Sequence, residues 1–122
     1  MDYQLKLINS CKINLFGAFS ACFFLQLSKH SIESCPLHNE KVKKVYADSF
    51  AKMGQLMEKH GIKLVGGWTA VLDHLFVAVC EAPSMDALMK FSMEPEPMSW
   101  FEYNSTQIMP VMSIEESMML LK

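Results

Sequence analysis

Between Asn39 and Gly61 the apolar residues Val42, Val45, Tyr46, Phe50, Met53, Leu56 and Met57 recur at steps of three and four. Residues at that spacing share one face of a helix, so the segment predicts a single amphipathic helix starting at Glu40. Asn39 is a residue type that caps helix N-termini, and Gly61, after His60, can take the left-handed conformation that ends a helix. Glu40 with Lys44, and Asp48 with Lys52, are acid-first pairs one turn apart on the wet side. An apolar stripe of this length has to lie against another layer, and the segments flanking it read as strands.

Phe23 to Ser28 is aromatic and aliphatic at first and then alternates. Phe23, Leu25 and Leu27 share one face, which suits a helix-covered core. Phe24, Gln26, Ser28 and His30 share the other, which suits a wetter cavity. Ile62 to Val71 and His74 to Glu81 read as second and third strands, joined by a short turn near Leu72 and Asp73 into an antiparallel hairpin. Gly66 and Gly67 inside the second strand predict a bulge or a close approach of another backbone. Ser84 can cap a shorter helix with Met85, Leu88 and Met89 facing inward, ended by Pro95 and Pro97. Trp100 to Val111 then reads as the last strand, and Ser113 with Glu116 forms a capping box for a terminal helix reaching Leu121.

The element order predicts an α+β fold of the ferredoxin-like βαββαβ type, a four-stranded antiparallel sheet with two helices on one face. The other face would be a large exposed apolar patch unless a second copy covered it. A homodimer through the open sheet face is therefore expected, the dimeric α+β barrel arrangement, with a small-molecule pocket between sheet and partner.

The 122 residues fit one domain, and a 51% hydrophobic composition is enough for a core. Residues 1–20 read as an N-terminal extension and 21–122 as the ferredoxin-like domain. Lys6 and Lys12 precede an apolar run, Ile13 to Ala21, of signal-peptide length just before Cys22. Asp2 and the unbroken passage into the first strand favour an upstream extension of that strand, so a cytoplasmic location is expected, with export as the alternative. The four cysteines show no C-x-x-C pair, which predicts reduced thiols. A net charge of −2, with acids flanking Lys41, Lys43 and Lys44, argues against a nucleic-acid partner. No stretch reaches the roughly 20 apolar residues of a membrane span, so no membrane partner is expected. The eleven methionines read as adaptable core and interface filling.

Reactive side chains are densest at His30, Cys35 and His38, spaced His-x4-Cys-x2-His. Zinc or copper accepts imidazole plus thiolate, although a closed zinc site needs a fourth ligand. The competing reading makes His30 a strand end, Cys35 with Pro36 a turn, and His38 exposed. Near a helix start and an imidazole, Cys35 is either an activated thiol or a buried inert one. His74 has the parity of Phe76 and Ala78; it reads either as a solvent-exposed turn histidine or, if that parity faces the open side, as a general base or ligand that meets His30 across the pocket. Trp68, Trp100 and Tyr103 belong either to the core or dimer interface or to a flat aromatic wall of the pocket, which Gln26, Ser28 and Phe76 complete. Carboxylates near it are few, Glu33 and Glu102, and no G-x-G-x-x-G, Walker, H-E-x-x-H or G-x-S-x-G motif occurs. No cofactor is expected.

The run Leu27 to Pro36 (LSKHSIESCP) resembles the strand-to-helix junction H-(S/T)-x-E-x-C-P of a group of small prokaryotic domains of unknown function within the dimeric α+β barrel superfamily. The Gly-Gly hairpin, the helix start Ser84 to Leu88 and the close Pro110 to Glu116 are similar too, so the likeness covers residues 22 to 117. That superfamily includes muconolactone isomerase-like enzymes, cofactor-independent monooxygenases, haem-degrading proteins and ligand-binding domains, so the resemblance implies the fold and leaves the activity open. Three readings follow. One is a small-molecule-binding domain without turnover. Another is an isomerase or monooxygenase for a small, partly aromatic compound, with His30 and His74 handling protons. The third is haem or metal handling.

Overall fold

The computed structural model describes residues 22–122. What was expected of residues 1–20 and of the run up to Ala21 lies outside the described residues. The strands are β1 (Cys22–Lys29), β2 (Lys63–Ala70), β3 (Leu75–Ala82) and β4 (Ser105–Val111). The helices are α1 (Glu40–Lys59), α2 (Met85–Ser92), α3 (Pro95–Tyr103) and α4 (Ile114–Met119). The strands form one antiparallel sheet in the order β2-β3-β1-β4, the order of the split βαβ motif, so the fold is α+β and ferredoxin-like.

Local chemistry fixes the ends of α1. Asn39 Oδ1 accepts from the backbone N–H groups of Lys41 (3.1 Å) and Val42 (3.2 Å), which would otherwise lack partners in the first turn. At the other end Gly61 has φ +70 and donates to Glu58 O, while Ile62 N donates to Met57 O at 2.8 Å. These are the two bonds of a Schellman motif, and Met57 packs against the core cluster that holds Ile62. In β2 the register slips between Leu64 and Gly66, and a Cβ added at Gly66 would stand 2.7 Å from the Trp68 ring. A side chain at Gly66 would require the indole of Trp68, which is 60% exposed, to move away.

Three expectations are corrected. Pro95 and Pro97 do not simply stop a helix ahead of a strand; they open α3, and β4 begins only at Ser105. Proline is compatible with a first helical turn, where backbone N–H groups have no intrahelical acceptor. The faces of β1 are also reversed. Cys22 and Phe24 join Ile62, Cys80, Ala82 and Leu88 in the helix-side core, and Ser28 is fully buried on the same parity. Phe23, Leu25 and Leu27 face the open side, paired with Val79 and Val77 on β3 and with Val111, Met109 and Gln107 on β4. β1 is apolar on both faces, so the parity was decided by the aromatic groups the helices bring down. Trp100 supplies an N–H donor to Ser28, which makes that polar residue a core residue. Cys35 and Cys80 are free thiols as expected, but Cys22 is disulfide-bonded, against the expectation of reduced cysteines.

A small ionic cluster ties the end of α1 to the start of α3. Glu94 Oε1 accepts from Lys59 Nζ (2.8 Å) and meets His60 Nε2 at 3.0 Å. These two donors hold the Glu94 carboxyl below its ordinary range. A depressed carboxyl pKa adds stability above the unfolded value near 4.5, and that stability is lost as pH falls through the folded value. Urea midpoints taken from neutral to acidic pH should fall less steeply in Glu94→Gln than in the parent protein.

Candidate functional site

A cavity of about 570 Å³ lies between the sheet and the helix layer. Phe50, Met53 and Met57 of α1, Phe91 of α2, Phe76 of β3 and Trp100 of α3 supply most of its apolar wall. Its mouth opens between α1 and the edge strand β2, where Phe50, Gly54, Glu58, Lys63 and Leu64 line the cavity and are solvent-exposed. A Cβ at Gly54 would meet nothing within 4 Å, so the glycine leaves the mouth wide. Polar groups on the lining are few: Gln26, Ser92, and Glu58 with Lys63 at the rim. Cys80 also lines it, and burial pushes its thiol pKa up, away from a nucleophilic role.

One end of the cavity is an aromatic wall. The Trp100 ring meets Phe76 at 5.3 Å and Phe50 at 5.6 Å, both edge-on, and stacks on Tyr46 at 4.3 Å. Its N–H donates to Ser28 Oγ (3.2 Å), which also accepts from Gln26 Nε2 (3.0 Å) and bonds Thr106 Oγ1 (2.9 Å). Every buried side-chain polar atom among the described residues has a partner, so this wall is fixed rather than loosely packed.

Behind the wall, at the sheet end shared by β1 and the β2–β3 turn, sits a second group. Tyr46 donates its hydroxyl proton to Asn104 Oδ1 (2.9 Å), so its oxygen accepts from His30 Nδ1 (3.3 Å). His30 Nε2 is then the acceptor facing His74 Nδ1, also at 3.3 Å. The backbone closes the pair, since His30 N donates to the carbonyl of His74 (3.2 Å), and His74 takes a left-handed φ of 52°. Burial first, then the charge of His74, lowers the His30 pKa, while the hydrogen bond to Asn104 opposes this. Burial first raises the Tyr46 pKa, the Asn104 bond opposes it, and the nearby Cys35 charge adds to the rise. Both shifts favour the neutral forms.

The structure thus brings His30, His74 and Cys35 together, with their ligand atoms within 4.8 Å of one another. His38 is exposed and stands outside this group; His74 takes the place that the loop spacing gave to His38. Of the expected pocket residues, Gln26, Phe76 and Trp100 line the cavity and Ser28 anchors its wall. Trp68 projects from the open sheet face at 60% exposure, and Tyr103, half-buried at the end of α3, is not on the lining. The cavity is on the helix side of the sheet, opposite the side expected, because the parity of β1 is reversed. Tyr46 and Asn104 were not singled out from the sequence. Tyr46 sits in the apolar stripe of α1 and looks like core, and Asn104 gains its role only from the junction of α3 with β4.

Among the described residues no helix is long and apolar enough to cross a membrane. A family model described as a domain of unknown function (DUF3303) matches residues 31–122. No curated protein matches the chain.

Proposed function

The chain belongs to this family of domains of unknown function, whose description assigns no activity, and from the site itself we propose that the domain binds a small, largely apolar, partly aromatic molecule between sheet and helices. The observation that carries the reading is the cavity of about 570 Å³, apolar on most of its wall, closed by Trp100 and open between α1 and β2. Its size and lining fit the general pattern of small-ligand sites, with Gln26 and Ser92 as orienting polar groups. Binding without turnover is favoured over isomerase or monooxygenase chemistry. His30, His74 and Cys35 lie across the Tyr46–Trp100 stack, and none of them lines the cavity. For the same reason neither histidine is placed to hold a haem there.

The reading includes a second copy of the chain on the open sheet face. Phe23, Leu25, Leu27, Val77, Val79, Met109, Val111 and Trp68 lie on that face, with Lys29, Lys63 and Glu81 at its margins. Four strands about 4.8 Å apart and seven residues at about 3.4 Å each give a flat face of about 450 Å². Two such faces, with side-chain relief added, come near the roughly 1,200 Å² at which specific interfaces begin. A largely apolar face, interrupted on β4 by Gln107, can pair with itself about a two-fold axis.

Binding is tested with Trp68→Phe, which leaves Trp100 as the remaining tryptophan of the two. Titration with the uncharged probe N-phenyl-1-naphthylamine should quench Trp100 emission saturably, at one probe per chain. Adding Gly54→Leu fills the mouth and should weaken binding about tenfold, while helix propensity raises stability by up to about 1 kcal/mol. Unsaturable quenching, or binding indifferent to Gly54→Leu, would count against the cavity.

A further inference from the structure

We propose that His30 Nε2, His74 Nδ1 and Cys35 Sγ form a site for one zinc-type divalent cation, with a fourth position left for water or another ligand. The three atoms lie within 4.8 Å of one another, and Cys35 is buried at 3% exposure. Two nitrogens bound at about 2.0–2.1 Å to one tetrahedral centre stand roughly 3.3–3.4 Å apart. The two histidine nitrogens are 3.3 Å apart. The sulfur needs to come within roughly 3.6 Å of each nitrogen, given a metal–sulfur distance near 2.3 Å, which is a shift of at most about 1.2 Å from the bound stated above.

The surroundings are those of a ligand set. A metal-bound imidazole is held by a hydrogen bond from its other nitrogen, which fixes tautomer and ring direction. His30 has that arrangement: Nδ1 donates to Tyr46, Tyr46 donates to Asn104, and Asn104 Nδ2 donates to the carbonyl of Trp100 at 2.9 Å. This chain points the lone pair of Nε2 at His74. The loop before α1 turns twice around Cys35, which donates its N–H to Ile32 O and accepts at its own carbonyl from His38 N and Asn39 N. Those bonds hold the thiol inward while His38 faces solvent. The donors select the cation. Imidazole with thiolate suits zinc, and no carboxylate belongs to the group, so magnesium and calcium are disfavoured. Binding replaces the His74 Nδ1 proton and the Cys35 thiol proton by the metal, the former moving to His74 Nε2 and the latter to solvent. The site is separate from the cavity and does not depend on it.

The test uses the full chain, freed of metal with a chelator and titrated with Co²⁺ and then Zn²⁺. One equivalent of Co²⁺ should give a near-ultraviolet thiolate-to-cobalt band together with the strong visible bands of tetrahedral cobalt, and Zn²⁺ should displace both. Cys35→Ser should abolish the thiolate band. His74→Asn keeps a residue that tolerates the left-handed backbone. It should weaken binding by at least the roughly 10–100-fold that loss of an outer partner costs. His38→Ala should change nothing. Metal-free thermal transitions establish that each variant folds, and either Cys35→Ser or His74→Asn alone decides the matter. No stoichiometric binding, the weak spectrum of octahedral cobalt, or dependence on His38 in place of His74 would overturn the site.

Discussion

Trp100→Ala is expected to destabilise the domain by about 3–5 kcal/mol, the range for removing a buried aromatic side chain. Marginal domains have about 5–15 kcal/mol in total, so this one change removes a large part of it. The effect has two sources. Trp100 is 4% exposed and packs against Tyr46, Phe50 and Phe76, so its loss leaves a void joined to the existing cavity. Its N–H also serves Ser28, which is buried on the same wall. Trp100→Phe separates the two. It keeps most of the ring contacts and removes the donor, while Ser28 retains Gln26 and Thr106, so a cost of about 1 kcal/mol is expected beyond the smaller ring's lost contacts. Urea unfolding of the two variants measures both. A small and equal loss in each would mean that the wall is not the structural joint of the domain.

Leu25→Glu should turn a dimer into a monomer. Leu25 is on an inner strand, opposite Val79 on one side and Met109 on the other, at the middle of the open face. A carboxylate there must be buried without a partner in both copies or the copies must separate, and unpaired burial costs several kcal/mol for each ion. The dissociation constant should therefore rise by about a thousandfold or more, since about 1.4 kcal/mol corresponds to tenfold. Sedimentation equilibrium of parent and variant measures it. Probe binding should survive in the monomer, because the cavity lies on the other side of the sheet. A parent protein that sediments as a single subunit would remove the partner copy, and residues 1–21 would then be the next occupant of that face to test by truncation.

The parts of this fold that were legible in the sequence are those set by local chemistry. The ends of α1 are written in Asn39 and Gly61, and both act through backbone bonds within a few residues of themselves. His30 and His74 do meet, but behind the Tyr46–Trp100 stack and not across an open-side pocket; the strand register, which pairs Lys29 with Leu75, brings them together. What was not legible depended on partners distant in sequence. β1 carries apolar residues on both faces, so its own pattern does not say which face meets the helices; Trp100, 72 residues after Ser28, decides it. Pro95 serves equally as a stop or as a first helical residue, and the choice rests on the packing of α3 against α1. Tyr46 reads as core until Asn104 and His30 are seen around its hydroxyl.

The most direct test of the central claim, that the helix-side cavity is the binding site, is a methyl spectrum of protein labelled with ¹³C at the methionine methyls, recorded with and without N-phenyl-1-naphthylamine. Met53 and Met57 line the cavity, and Met109 lies on the open sheet face. Shifts and probe contacts are expected at Met53 and Met57, with Met109 unmoved. Shifts at Met109 with Met53 and Met57 unchanged would contradict that claim.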